Sequence, residues 1–129
     1  MSDLLLDIIE HLASQDLVVG DGTDSFRDFT PEAPDNVFVV HEYPGSPLPF
    51  QDTFTHRSLQ LTVRDKSASR AKTQCIKIFN ELSPVDRYKT LSNGRWCQIY
   101  PRQFPFKINV DDAGRTTYGF NIGITTERD

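Results

Sequence analysis

The residues that could do chemistry, by type and spacing, are three histidines, two cysteines and one pair of adjacent aspartates. His41 and Glu42 are neighbours on a predicted strand, so their side chains point to opposite faces and cannot bind one metal ion together. His41 and His56 could converge across the segment between them. Two histidines without a placed carboxylate are a weak metal or general-base signal. The default for each is a polar surface or interface histidine.

The cysteines and the aspartate pair have simpler interpretations. Cys75 falls on the apolar stripe of a predicted helix and Cys97 in a predicted strand, without metal-type spacing, so we expect two reduced core cysteines. Asp111 and Asp112 lie in a reverse-turn sequence. The chain also lacks the glycine-rich, Walker, Gly-x-Ser-x-Gly, His-Glu-x-x-His and Cys-x-x-Cys motifs. We therefore predict no catalytic, cofactor or metal site.

Composition and charge argue against nucleic acids and membranes as partners. The 129 residues, with a net charge of −4, suit one domain spanning 1–129 and give no electrostatic attraction for tight nucleic-acid binding. No apolar run approaches the ~20 residues that cross a bilayer, so no membrane partner is expected. The first residues lack the basic segment of a signal peptide, which predicts a protein made and used in the cytoplasm.

Two segments have the period of amphipathic helices and several others the alternation of strands. Residues 3–15 form the first helix, with Ser2 as its predicted N-cap, and residues 67–82 form the second, which begins at Ser67. The predicted strands are 26–29, 36–43, 59–65, 88–91, 95–100, 104–110 and 118–124. A turn at 111–115 joins the last two as an antiparallel hairpin. We expect a single α+β domain, an antiparallel or mixed sheet with two α-helices on one face.

Two regions are candidates for contact with other proteins. Residues 44–57 form a long predicted loop that is rich in proline and also carries Leu48, Phe50 and Phe54. These apolar side chains either anchor in a partner or fold back on the subunit's own core. The second region is the polar face of the closing strand, whose small residues permit close backbone approach and predict sheet-edge pairing between subunits. The candidate residues on that face are Thr117, Gly119, Asn121 and Gly123.

The order of these features resembles the tail-terminator family of long-tailed bacteriophages, also described as minor capsid or head–tail joining proteins. The resemblance extends over residues 4–124. Its N-terminal motifs are a Leu-Leu-x-x-Ile-Ile helix, a Gly-Asp-Gly turn, and the segment 34–45, in which Pro-Asp-Asn leads into an apolar strand that ends in Glu-Tyr-Pro-Gly. Its later motifs are the strand-to-helix step of 59–67, Pro-Phe at 105–106 and the Asp-Asp-Ala-Gly-Arg turn of 111–115. Asp65 stands where asparagine is more usual.

The resemblance implies a structural role rather than an enzyme. Such proteins form a hexameric ring on the end of the tail tube, stop tube polymerisation and present a surface to the head connector. The implied partners are other copies of the chain, the tail-tube protein and the head-connector (stopper) protein, while genomic DNA passes through without specific binding. The implied location is the virion, at the head–tail junction, after assembly in the host bacterial cytoplasm.

Two alternatives remain open at this stage. The first is another head–tail connector component, an adaptor or stopper, which the sequence separates poorly from a terminator. The second is a small-ligand-binding domain or enzyme that uses His41 and His56 around a pocket. It predicts a deep polar cleft.

Overall fold

The computed structural model describes residues 3–44, 54–84 and 86–129. Within them, two helices pack on one face of a mixed seven-stranded sheet, which confirms the α+β prediction. In chain order the elements are α1 (Leu4–Ser14), β1 (Ser25–Arg27), β2 (Val37–Tyr43), β3 (Phe54–Asp65), α2 (Ala68–Glu81), β4 (Tyr88–Thr90), β5 (Trp96–Pro101), β6 (Phe106–Val110) and β7 (Thr116–Glu127).

Both helices begin at a side chain that accepts backbone hydrogen bonds. The Asp3 carboxylate accepts from the N–H groups of Leu5 and Leu6, so the N-cap of α1 is Asp3 and the prediction of Ser2 was wrong. An aspartate also suits the positive end of the helix dipole. The Oγ of Ser67 accepts from the N–H of Arg70, as predicted for α2.

The sheet has the strand order β1-β2-β3-β7-β5-β4, and β6 pairs with β7 alongside β5. The β1–β2 pair is parallel and all the others are antiparallel. The central strands β3 and β7 pair over twelve residues, from Phe54 opposite Glu127 to Asp65 opposite Thr116. The predicted closing hairpin of β6 and β7 is confirmed.

Strand β3 corrects the predicted loop of residues 44–57. It begins at Phe54, five residues before the predicted start, so Thr55, His56 and Arg57 belong to the strand. The reason is tertiary, because every residue of β3 has a cross-strand partner in β7. Leu48 and Phe50 lie outside the described residues.

One hydrophobic core joins both helices to one face of the sheet. Helix α1 packs against β1 and β2, while α2 packs against β3 and β7. The buried side chains of the sheet that meet the helices are Phe38, Val40, Leu59, Leu61, Val63, Cys97, Ile99, Phe120, Ile122 and Ile124. Both cysteines are free and buried, as expected, and burial raises the pKa of the Cys75 thiol to about 12.

Candidate protein-interaction surface

The sheet face opposite the helices, here called the open face, carries a row of polar side chains across its three longest strands. His41, Gln60 and Asn121 are successive partners in the β2–β3–β7 register, so their side chains lie side by side. Together with Tyr43 they line a shallow depression of about 490 Å³. Asn121 is thus one predicted interaction residue that lies on this surface and is partly exposed.

The glycines of β7 are covered by side chains of the same chain. A β-carbon at Gly119 would lie 2.8 Å from Cδ1 of Ile108, and one at Gly123 would lie 3.2 Å from a guanidinium nitrogen of Arg102. That guanidinium donates to the Ser58 Oγ at 3.3 Å. The close approach predicted for these glycines therefore exists, but within the subunit.

The prediction that β7 pairs with another subunit at a sheet edge was wrong. The strand has β3 on one side and both β5 and β6 on the other, so its backbone groups are already paired. Contact through the face of β7, at Thr117 and Asn121, remains a prediction.

An aromatic cluster, defined as Phe54, Tyr88 and Trp96, lies at one end of the sheet, where β3 and β5 pair with opposite sides of β7 and β4 pairs with β5. The ring of Phe54 meets that of Trp96 edge-on with centroids 5.6 Å apart, and Tyr88 lies 5.9 Å from Trp96. Tyr88 is 52% exposed. Beside the cluster, the guanidinium of Arg87 lies 5.6 Å over the ring of Tyr100, at cation–π distance. The sequence analysis singled out Phe54 but missed its aromatic partners.

A second apolar region, the apolar strand, is β6 itself. All five of its residues are exposed, and three of them are large and apolar: Phe106, Ile108 and Val110. Their alternation predicted a strand but could not reveal that no helix covers it. Helix α2 packs mainly on β3 and β7, and its Phe79 meets Phe104, which precedes β6, with ring centroids 5.3 Å apart.

The histidines are not brought together. His41 pairs with Gln60 in the register, four residues along β3 from His56, which is about 13 Å at ~3.3 Å per residue. The Nδ1 of His56 instead lies 2.6 Å from the Oγ1 of Thr125. Burial lowers the pKa of His41, against the opposing charge of Asp28. Across residues 3–44, 54–84 and 86–129, no group of three potential ligands is arranged to hold a metal ion.

His11, which the sequence analysis left unassigned, has a structural role. It is buried on α1, where its Nδ1 accepts a hydrogen bond from the Ser92 N–H at 2.9 Å and its Nε2 donates to Glu81 at 2.9 Å. Burial alone would raise the pKa of Glu81, but hydrogen bonds from Lys89 and His11 outweigh it and hold that pKa below its usual value. The imidazole thus ties α1 to α2 and to the turn before β5.

Three of the segments that carry the family resemblance, those of 34–45, 59–67 and 111–115, meet at the opposite end of the sheet from the aromatic cluster. Arg64, at the end of β3, donates to the backbone carbonyl of Pro34 at 2.7 Å and to that of Glu32 at 3.3 Å. Arg115 donates to the same Glu32 carbonyl and to the Asp111 carboxylate at 2.8 Å. Two buried arginines, one from each of two motifs, therefore hold the backbone at the start of the third motif and just before it.

Asp65, the residue that departs from the family pattern, accepts hydrogen bonds at the C-terminal end of β3. Its carboxylate accepts from the Ser67 N–H at 2.9 Å and from the Arg70 guanidinium at 3.0 Å. Burial would raise the pKa of Asp65, but these donors outweigh it and lower the value. The aspartate thereby fixes the step from β3 into α2.

The protein is thus an α+β domain whose frame is held by these motifs and whose open sheet face bears exposed aromatic side chains. Residues 11–128 match the family model of the bacteriophage tail terminator protein, and the chain belongs to that family. Its place is accordingly the tail of the virion, among the structural proteins of tail assembly. No curated protein matches the chain. None of the helices in the described ranges is long and apolar enough to cross a membrane.

Proposed function

We propose that this chain forms a six-membered ring on the end of the phage tail tube, stops its polymerisation and joins the tail to the head connector. The observation that carries the proposal is the family match, which spans almost the whole fold. The proposed partners are further copies of the chain, the tail-tube protein and the head-connector (stopper) protein. Assembly takes place in the host bacterial cytoplasm.

The charge of the chain is compatible with a conduit for DNA. The net charge of −4 per chain is multiplied in a ring, and acidic walls repel phosphates rather than bind them. We infer that DNA passes through the ring without specific binding. The same charge level also serves solubility, so it supports the proposal only as a compatible feature.

The predicted contact residues retain their place in this proposal. Leu48, Phe50 and Phe54 are assigned to contact with a neighbouring subunit or the tail tube, because large apolar side chains beside prolines make effective anchors. On the open face, Thr117 and Asn121 offer polar contacts. Gly119 and Gly123 contribute by leaving room for the side chains of Ile108 and Arg102.

Titrating the purified chain into polymerising tail-tube protein tests the terminator role. We expect growth to stop at short lengths in electron micrographs, and native mass spectrometry of the capped tubes to show six copies per end. A Phe50→Ser, Phe54→Ser double variant should keep the far-ultraviolet spectrum of the wild type and lose capping. A chain that left tubes growing but bound the portal-side connector would refute the terminator role and identify an adaptor or stopper.

A further inference from the structure

A chain of alternating charges lies at the end of the sheet where α1 begins. The Oδ1 atom of Asp129 accepts from the Arg57 guanidinium at 2.8 Å and from the Arg95 guanidinium at 2.9 Å, so one oxygen joins two arginines. Arg57 also donates twice to the Glu42 carboxylate, at 2.7 Å each. Arg95 also donates to the Asp7 carboxylate of α1 at 2.8 Å. Strands β2 and β3 are thereby linked to α1 and to the residue before β5, through a residue that follows β7.

The two arginines depend on Asp129 because they are largely withdrawn from water. Their side chains are 15% exposed for Arg57 and 4% exposed for Arg95, so solvent replaces a lost acceptor poorly. Burial would raise the pKa of Asp129, but hydrogen bonds from Arg57, from the Leu4 N–H and from Arg95 outweigh it and hold that pKa below its usual value. An uncharged residue at position 129 would leave each guanidinium with one carboxylate.

Asp129 also completes the N-terminal cap of α1. A helix begins with four backbone N–H groups that have no partner within the helix. In α1, Asp3 accepts from the second to the fourth of these groups, through its carboxylate and its backbone carbonyl. The first group, the N–H of Leu4, donates to Asp129. The start of α1 therefore has one cap from the adjacent residue and another from the end of β7.

Beyond this end, α1 is attached to the sheet through side chains. Within the described residues, it shares no backbone hydrogen bond with any strand. It packs on β2 and on β1, which is a three-residue strand at the edge of the sheet. The twelve-residue ladder of β3 and β7 does not involve the helix. An opening that separates α1 from the sheet therefore leaves this ladder intact and needs less free energy than global unfolding.

We propose that Asp129 is a clasp that holds α1 on the sheet, and that α1 opens as one unit over an intact sheet when the clasp is released. Opening would expose the apolar side chains of β2 that face the helices, Phe38 and Val40. The clasp thus controls access to the apolar surface beneath α1. It acts within one subunit, so it is independent of the proposed ring.

Amide hydrogen exchange of the isolated chain tests the clasp. Asp129→Asn keeps the size of the side chain and removes its charge, and we expect the amides of α1 to exchange about tenfold faster while those of β3 and β7 keep their wild-type rates. The matched control is Glu127→Gln, which removes the same charge two residues earlier. The Glu127 side chain is exposed and belongs to no ion pair within the described ranges, so this variant should leave exchange in α1 unchanged.

Three results would overturn the proposal. Wild-type exchange rates in α1 of the Asp129→Asn variant would show that the clasp does not hold the helix. Equal acceleration in α1, β3 and β7 would show that Asp129 stabilises the whole fold and that α1 does not open separately. Equal acceleration of α1 in the Asp129→Asn and Glu127→Gln variants would show that general loss of negative charge, rather than the bridge between the two arginines, controls the helix.

Discussion

Replacing Arg95 with methionine is expected to lower the free energy of unfolding by about 3–5 kcal/mol, the cost of breaking a buried ion pair. The Arg95 guanidinium is almost fully buried and donates to the Asp7 carboxylate at 2.8 Å, and both side chains are 4% exposed. It also donates to the Glu127 carbonyl at 2.8 Å and to the Asp129 carboxylate at 2.9 Å. Methionine would leave the buried Asp7 charge without its partner. Equilibrium denaturation in urea measures the loss.

Arg27→Met provides the matched control for this prediction. Arg27 also bonds to two carboxylates, Asp3 at 3.0 Å and Asp21 at 3.1 Å, but its side chain is 35% exposed. Solvent screening limits such surface pairs to at most about 1 kcal/mol. Equal losses in the Arg27 and Arg95 variants would show that burial of the Arg95–Asp7 pair does not determine its strength.

Sequence patterns predicted the elements of this fold better than their ends. Ser67 begins α2 as predicted because a serine cap acts through bonds within one helical turn. The start of β3 could not be predicted in the same way. Thr55, His56 and Arg57 do not alternate in hydrophobicity, and they form strand because β7, seventy residues later, supplies their hydrogen-bond partners. Such a contact leaves no local signal.

The interaction surface was only partly predictable for a related reason. Phe54 could be predicted as a contact residue from its size and the prolines that precede it. Its packing on Trp96 could not, because this contact requires β3 and β5 to lie on opposite sides of β7. The alternation in β6 predicts a strand with an apolar face, and a sequence cannot state whether a helix covers that face. Only the sheet order shows that Phe106 and Ile108 remain exposed.

Gly119→Ala is expected to lower the free energy of unfolding by about 1–3 kcal/mol, the usual cost of overpacking. The new β-carbon would lie 2.8 Å from the backbone carbonyl oxygen of Leu61, which cannot move without disturbing β3, and 2.8 Å from Cδ1 of Ile108. Gly123→Ala is the matched control on the same strand. Its closest neighbour is the guanidinium of the exposed Arg102, which can swing away, so we expect a loss below about 1 kcal/mol.

The comparison of these two glycines also separates folding from assembly. Because Gly119 is buried beneath Ile108, a substitution there shifts the apolar strand before any partner is present. The melting temperature of the isolated chain should therefore fall clearly in the Gly119 variant and only slightly in the Gly123 variant. Equal stability of both variants, with assembly lost only at Gly119, would mean that this glycine contacts a neighbouring subunit directly and that β6 does not cover it in the proposed ring.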